Sequence, residues 1–224
     1  MAMSSQPRRS FHEQLEALTR AIFDMGTLVE DRVRQAVQAL KTLDFTLAHQ
    51  IVEGDTEVNQ LEVDIEQQCL QLLALQQPMA SDLRTISTAL KLVTDLERIG
   101  DHAKDIARVT LRLQGQTLLK PLIDIPRMAE LACRMIRQGL SAYADRDAEL
   151  ARETIILDSQ VDVLYQQVFR ELLTYMIEDP RHIGQGTQLL FVGSHLERVA
   201  DHATNLNEWV IFMVTGQHYQ DRAE

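Results

Sequence analysis

The chain is poor in everything that interrupts a helix. Its 224 residues include 5 prolines and 9 glycines, and Pro7, Pro78, Pro121, Pro126 and Pro180 leave long stretches between them. Aromatics are 5% of the chain, which suits seams of Leu, Ile, Val and Ala better than a sheet core. Cys69 and Cys133 stand alone in helical patterns with no CxxC and read as buried thiols in a reducing compartment. The longest wholly apolar run, 209–214, falls far short of the ~20 residues of a membrane span, so no direct membrane insertion is expected. No basic run exceeds Arg8-Arg9, and the net charge is −11. Such a field repels nucleic acid and attracts cations and basic partner surfaces. Residues 1–10 are polar, lack the apolar core of a secretory signal, and are expected as a disordered tail of a cytoplasmic protein.

What is present is helical periodicity. Apolar residues make up 45% and charged residues 25%, the balance of a globular protein. Spacing of three and four recurs almost throughout and predicts six helices, over 11–41, 47–76, 81–113, 127–144, 149–178 and 185–216. Asp44 or Thr46 can cap the second helix, and Asp145 or Asp147 the fifth. Pro78 and Pro180 stop those two helices. Gly115, Pro121 and Pro126 mark 114–126 as an interdomain connection. The expected organisation is all-α, with three-helix units at 11–116 and 127–216, a linker over 117–126 and a tail over 217–224.

The two units are copies. DLERIGDHAKDIA from Asp95 returns as HLERVADHATNLN from His195, and DTEVNQL from Asp55 returns as DSQVDVL from Asp158. The separations, Asp55 to Glu97 and Asp158 to Glu197, are 42 and 39 residues, so the matches belong to one duplication. Short turns force neighbouring helices antiparallel, giving two up-down-up bundles in tandem.

Each copy places a Glu and an Asp four residues apart, Glu97/Asp101 and Glu197/Asp201. On a helix these lie on one face, with ~5–6 Å between Cβ atoms. Asp105 extends the first stripe, and Asp55/Asn59 and Asp158/Asp162 repeat the spacing on the preceding helices. All border the apolar seams. Antiparallel packing within a half then brings carboxylates of two helices together. A solvated acidic face is the plain reading of such stripes. Against it, like charges at this spacing destabilise a helix, and a hard divalent or trivalent cation with oxygen ligands removes the repulsion. Arg98 and Arg198 can pair with Asp101 and Asp201 three residues on. His102 and His202 point away from the stripe and suit a structural hydrogen bond better than ligation. Catalytic motifs are missing: no Glu precedes a His by three as in di-iron bundles, and there is no phosphate loop, HExxH or nucleophile elbow. Met128, Met135 and Met176 fall on helical spacing and read as core filler.

These residues resemble the PhoU family of regulators of bacterial phosphate uptake, over almost the whole chain. The most specific piece is QQPMASDLRTI from Gln76, followed by LERIGDHAKDIA, and the family's (E/D)xxxD motif stands at Glu97/Asp101, Glu197/Asp201 and Asp158/Asp162. The resemblance implies two three-helix bundles carrying multinuclear metal clusters. Iron or zinc is the implied ion, with magnesium or manganese as alternatives, held by Asp55, Glu97, Asp101, Asp105, Asp158, Asp162, Glu197 and Asp201. It implies no enzymatic activity. It implies a homodimer that represses the phosphate-starvation (Pho) regulon through a PstB-like transporter ATPase and a PhoR-like sensor histidine kinase, reaching the inner membrane only through these partners. Two departures stand out. Asn59 replaces the acid found at Asp162, which weakens the first cluster, and the second copy has DPRHIGQG where the first has QPMASDLR.

Overall fold

Residues 6–75 and 78–219 are described by the structure, a computed structural model. Helix α1, Gln6–Thr42, buries Leu18, Ile22, Met25, Val29 and Val33, a spacing of three and four that keeps one face inward. It starts five residues before the predicted position, so Gln6 to Ser10 belong to the helix rather than to a tail. It ends where Leu43 turns left-handed at φ 52 and the Asp44 N–H reaches the Ala39 carbonyl at 2.9 Å, a Schellman-type end. Asp44 then caps α2, Phe45–Glu53, its carboxylate accepting from the Leu47 N–H at 2.9 Å. The second copy repeats the device after α5, Asp124–Asp145. Arg146 takes φ 56, the Asp147 N–H meets the Ala142 carbonyl at 2.9 Å, and Asp147 caps α6, Ala148–Ile155.

The helices predicted over 47–76 and 149–178 are each broken in two. Helix α3, Asp55–Leu75, begins beyond a turn at Gly54, and α7, Asp158–Glu178, begins beyond Ile156 and Leu157. Bonds of the tighter 3₁₀ type close both bends: Glu57 N–H to Gly54 O at 3.2 Å, and Leu157 N–H to Thr154 O at 3.0 Å. Apolar spacing runs across the breaks, which hid them from the periodicity. Their consequence is that Asp55 and Asp158 open helices, where free N–H groups favour a carboxylate.

Helices α4, Ala80–Arg112, and α8, Ile183–Thr215, are 33 residues each. They run antiparallel along one another: Arg84 donates to the Met213 carbonyl at 3.3 Å at one end, and Arg112 to Gln188 at 3.3 Å at the other. α1 and α5 pair the same way. Glu30, only 7% exposed, receives Arg34 at 2.6 Å and Arg137 from α5. Burial alone would raise its pKa, but the hydrogen bonds from Arg137 and Arg34 bring it below the usual value. The close approach of α5 to α8 needs a glycine. A Cβ on Gly139 would stand 2.5 Å from Leu206 Cδ2 and 2.8 Å from Asn207 Nδ2.

Each half is thus a three-helix bundle, α1, α2–α3 and α4, then α5, α6–α7 and α8. One apolar core runs through both, from Ile22, Ile65 and Leu96 to Ile136, Leu172 and Leu206. The connecting segment, 113–123, lies pinned on the second half: Gln185 donates to the Thr117 carbonyl at 3.0 Å, and Lys120 pairs with Glu171. Pro180–His182 forms a 3₁₀ turn before α8. Cys69, Cys133, Met128 and Met135 are fully buried, and Met176 is half-buried. Among the described residues there is no strand, and no helix is long and apolar enough to cross a membrane.

Candidate metal centres on the two acidic stripes

Packing α3 against α4 brings Asp55, Glu97 and Asp101 together as predicted, with two additions beyond the stripe itself. Lys104 lies between the aspartates, its Nζ 2.6 Å from Asp55 Oδ2 and 2.5 Å from Asp101 Oδ1. Arg98 adds contacts of 3.5 Å to Glu97 and 3.6 Å to Asp101. Burial raises the Asp101 pKa, but the bond and charge of Lys104 outweigh it and hold the carboxyl below its usual value. The second addition is Glu62, on the helix face of Asn59 three residues on. Burial and then Asp101 raise Glu97, with Glu62 contributing, while burial and then Glu66 raise Glu62. The acid lost at Asn59 is therefore replaced within one helical turn.

The second half joins all four predicted residues, Asp158 and Asp162 from α7 with Glu197 and Asp201 from α8. Among the described residues no ion pair reaches them. Asp158 is pushed up to about 6, first by burial, then by Asp162 and Asp201, with Glu197 adding and the Thr204 hydroxyl opposing. Glu197 is raised by burial, Asp201 and Asp162, and Asp201 by burial and Asp162, against the lowering effect of Arg198 on both. Thr204 occupies the register position of Lys104. Its hydroxyl is buried and closes no full hydrogen bond.

A hard cation fits the second set by donor type and charge: four oxygen-donor side chains, with Asp158, Glu197 and Asp201 all raised by burial and by neighbouring carboxylates. It fits the first set less well, because the Lys104 ammonium already bridges Asp55 and Asp101 and offsets one of their two charges. The mismatch between DHAKD and DHATN carried this signal in the sequence.

Asp105 departs from the prediction. It does not join Glu97 and Asp101; at eight residues from Glu97 the helical drift has turned it toward His195 of α8, beside His102 of its own helix, and Arg108 one turn on pairs with it at 2.9 Å. His202 takes the predicted structural role, its Nδ1 standing 2.9 Å from Asp95. His102 stands 3.2 Å from His195, Nδ1 to Nδ1. Burial, with His195, His202 and Arg198 nearby, pushes His102 down to about 4.

Comparison with known proteins matches this duplicated geometry. A family model described as the PhoU domain matches residues 22–110 and again 125–210, one span on each bundle. The chain is 40% identical over 212 residues to the phosphate-specific transport system accessory protein PhoU homolog of Rhizobium meliloti (strain 1021), covering 94% of this chain and 90% of the relative. The homolog of that name from Aquifex aeolicus (strain VF5) is 39% identical over 217 residues, covering 95% and 98%. The crystal structure of PhoU from Pseudomonas aeruginosa has a TM-score of 0.87 at 40% identity, covering 92% of this chain and 100% of that one. That of the phosphate transport system regulatory protein PhoU from Streptococcus pneumoniae also has a TM-score of 0.87, at 32% identity, covering 94% and 99%. With both copies matched and near full coverage, the chain belongs to the PhoU family.

Proposed function

We propose that this chain is a metal-binding, non-enzymatic regulatory adaptor of phosphate homeostasis, holding the phosphate-starvation (Pho) regulon off when phosphate is abundant. Relatives at 40% identity carry the name of accessory proteins of the phosphate-specific transport system, which supports the setting. The observation that carries the metal is the group Asp158, Asp162, Glu197 and Asp201, whose charge no ion pair among the described residues cancels. Iron or zinc would occupy it, with magnesium or manganese as alternatives. The partners would be a PstB-like transporter ATPase and a PhoR-like sensor kinase, met by a homodimer in the cytoplasm and at the inner membrane. With a net charge of −11, the adaptor would meet basic surfaces on them, so association would weaken as salt shortens the Debye length below ~8 Å.

A metal-free structural adaptor is the second reading, and Lys104 favours it for the first half. Elemental analysis of protein purified without chelator or affinity metal separates the two. Deleting the gene and following a starvation-responsive reporter in high phosphate tests the regulation: the reporter should stay on, and normal repression would overturn the assignment. Pull-down on the ATPase and the kinase's cytoplasmic region, with salt and metal varied, tests the partners. Turnover of a phosphoester by pure protein would restore an enzymatic reading.

A further inference from the structure

The crossing of α4 and α8 holds polar side chains that the acidic stripes do not use. His102 and Asp105 from α4 and His195 from α8 each bring one ligand atom to within 4.8 Å of the others, and all three are half-buried. The two imidazole Nδ1 atoms stand 3.2 Å apart. Two imidazole nitrogens on one tetrahedral zinc, each ~2.0–2.1 Å from the ion, stand about 3.3 Å apart. Two histidines and a carboxylate, with the fourth position open to water, are a common zinc donor set.

The internal duplication supplies a control. The register partners of His102, His195 and Asp105 are His202, Asp95 and Asn205. There the polar groups close on one another: His202 Nδ1 lies 2.9 Å from Asp95 Oδ1, and the Asn205 amide donates to the same oxygen at 3.5 Å. The first-copy set differs at two of three positions, and both changes favour ligation. Asp95 becomes an imidazole at His195, and the Asn205 amide becomes a carboxylate at Asp105. In place of the closed network stands a nitrogen-to-nitrogen contact with a carboxylate held from outside by Arg108 at 2.9 Å.

We propose that His102, His195 and Asp105 form a binding site for a divalent transition ion of borderline softness, zinc above all, separate from the acidic stripes and clipping α4 to α8. Imidazole with carboxylate selects such ions over magnesium or calcium. Arg108 must yield Asp105, and Arg112 and Arg198 act on His195 from nearby, so the guanidinium charges moderate the affinity. Because its ligands come from both halves, occupancy of this site ties the two bundles together, which the stripes, each built within one half, do not.

The site rests on its own geometry and is separable from the stripe reading by experiment. In the full chain carrying Asp158→Asn, Asp162→Asn, Glu197→Gln, Asp201→Asn, Glu97→Gln and Asp101→Asn, zinc is titrated by calorimetry and cobalt by visible absorption. The expected result is one equivalent of either ion, cobalt giving the intense bands of tetrahedral coordination. Adding His195→Asp with Asp105→Asn transplants the second copy's hydrogen-bonded set. It should weaken zinc by ~10–100-fold, at least the effect of losing an outer-shell partner, and remove the bands while the circular dichroism stays helical. Unchanged zinc affinity in that variant, or absence of tetrahedral bands in its parent, overturns the proposal. Should the amidated parent fail to fold, the same pair of substitutions is compared in the unaltered chain, where tetrahedral bands distinguish this site from six-coordinate oxygen sites.

Discussion

The two acidic stripes have nearly the same backbone, and their matched aspartates, Asp101 and Asp201, shift in opposite directions. In the first half, Lys104 binds Asp55 and Asp101 at 2.6 and 2.5 Å, and Asp101 ionises more easily than usual. In the second half, Thr204 stands in that register, and Asp158, Glu197 and Asp201 all ionise less easily. One helix position separates a cluster bridged by its own lysine from one that no ion pair among the described residues reaches. Counting acids ranks the first cluster as the poorer one because of Asn59. The structure places Glu62 beside Glu97, and Lys104 bridges Asp55 and Asp101, so what sets the first cluster apart is its built-in ammonium rather than a shortage of acids.

Exchanging the two residues should reverse the comparison, and this is the largest expected effect. Thr204→Lys places an ammonium beside Asp158 and Asp201 and should reduce metal in the second half to near none, whereas Lys104→Thr should create a site in the first. Elemental analysis of both variants decides it; metal content indifferent to the exchange removes Lys104 as the discriminating group.

Truncating the paired acids should shift stability in opposite directions. Glu197→Ala with Asp201→Ala should abolish the metal binding proposed for the second half and leave the fold intact, and relief of like-charge repulsion should stabilise the metal-free protein by about a few tenths of a kcal/mol. Glu97→Ala with Asp101→Ala takes one of the two carboxylates from Lys104, leaving Asp55, and should cost on the order of 1 kcal/mol, a partly exposed ion pair. Denaturant titrations of the metal-free variants read the sign; equal shifts would break the contrast.

Acid should favour the metal-free second half. Asp158 titrates at about 6 when folded, against 3.8 for an ordinary aspartate, so the folded state binds more protons between those values. Its contribution to stability is present at low pH and lost as pH rises toward 6. Melting of the metal-free protein should therefore show Asp158→Asn stabilising at pH 7 and having little effect near pH 4. Metal affinity should fall below about pH 6, where protons compete for Asp158. A pH-independent effect of Asp158→Asn would remove this carboxyl as the origin.

The smallest contrast expected is between the lone thiols. Burial pushes Cys69 and Cys133 alike to about 12, so neither should react with an alkylating reagent at pH 8 until the chain unfolds. Native labelling of one and not the other would reveal local opening confined to one half.

Much of this was legible in sequence, because helix seams, caps and duplication are local or periodic signals. Asp44 and Asp147, each one of two candidates, supply the caps, and the acids of the LERxxDHA copies face α3 and α7 as expected. The bends before Asp55 and Asp158 were not legible, since the apolar period continues through them. The departure of Asp105 from the stripe was not legible, because its turn toward α8 accumulates over two helical turns and depends on which neighbour lies there. The meeting of His102 with His195 depends on packing between halves, which the spacing within a single helix does not encode.

The antiparallel pairing of α4 with α8, and of α1 with α5, gives the molecule the interior of an isologous dimer drawn as one chain. In a true dimer of that kind every substitution appears at both related positions, so a lysine that quenches one site quenches its mate. Joining the copies through 113–123 removes that obligation. Lys104 faces no lysine in the other copy, and His195 no second histidine at Asp95. Fusion lets one copy bridge its cluster with a lysine while the other has none, and lets one crossing hold two imidazoles and a carboxylate where its mirror holds a hydrogen-bonded plug.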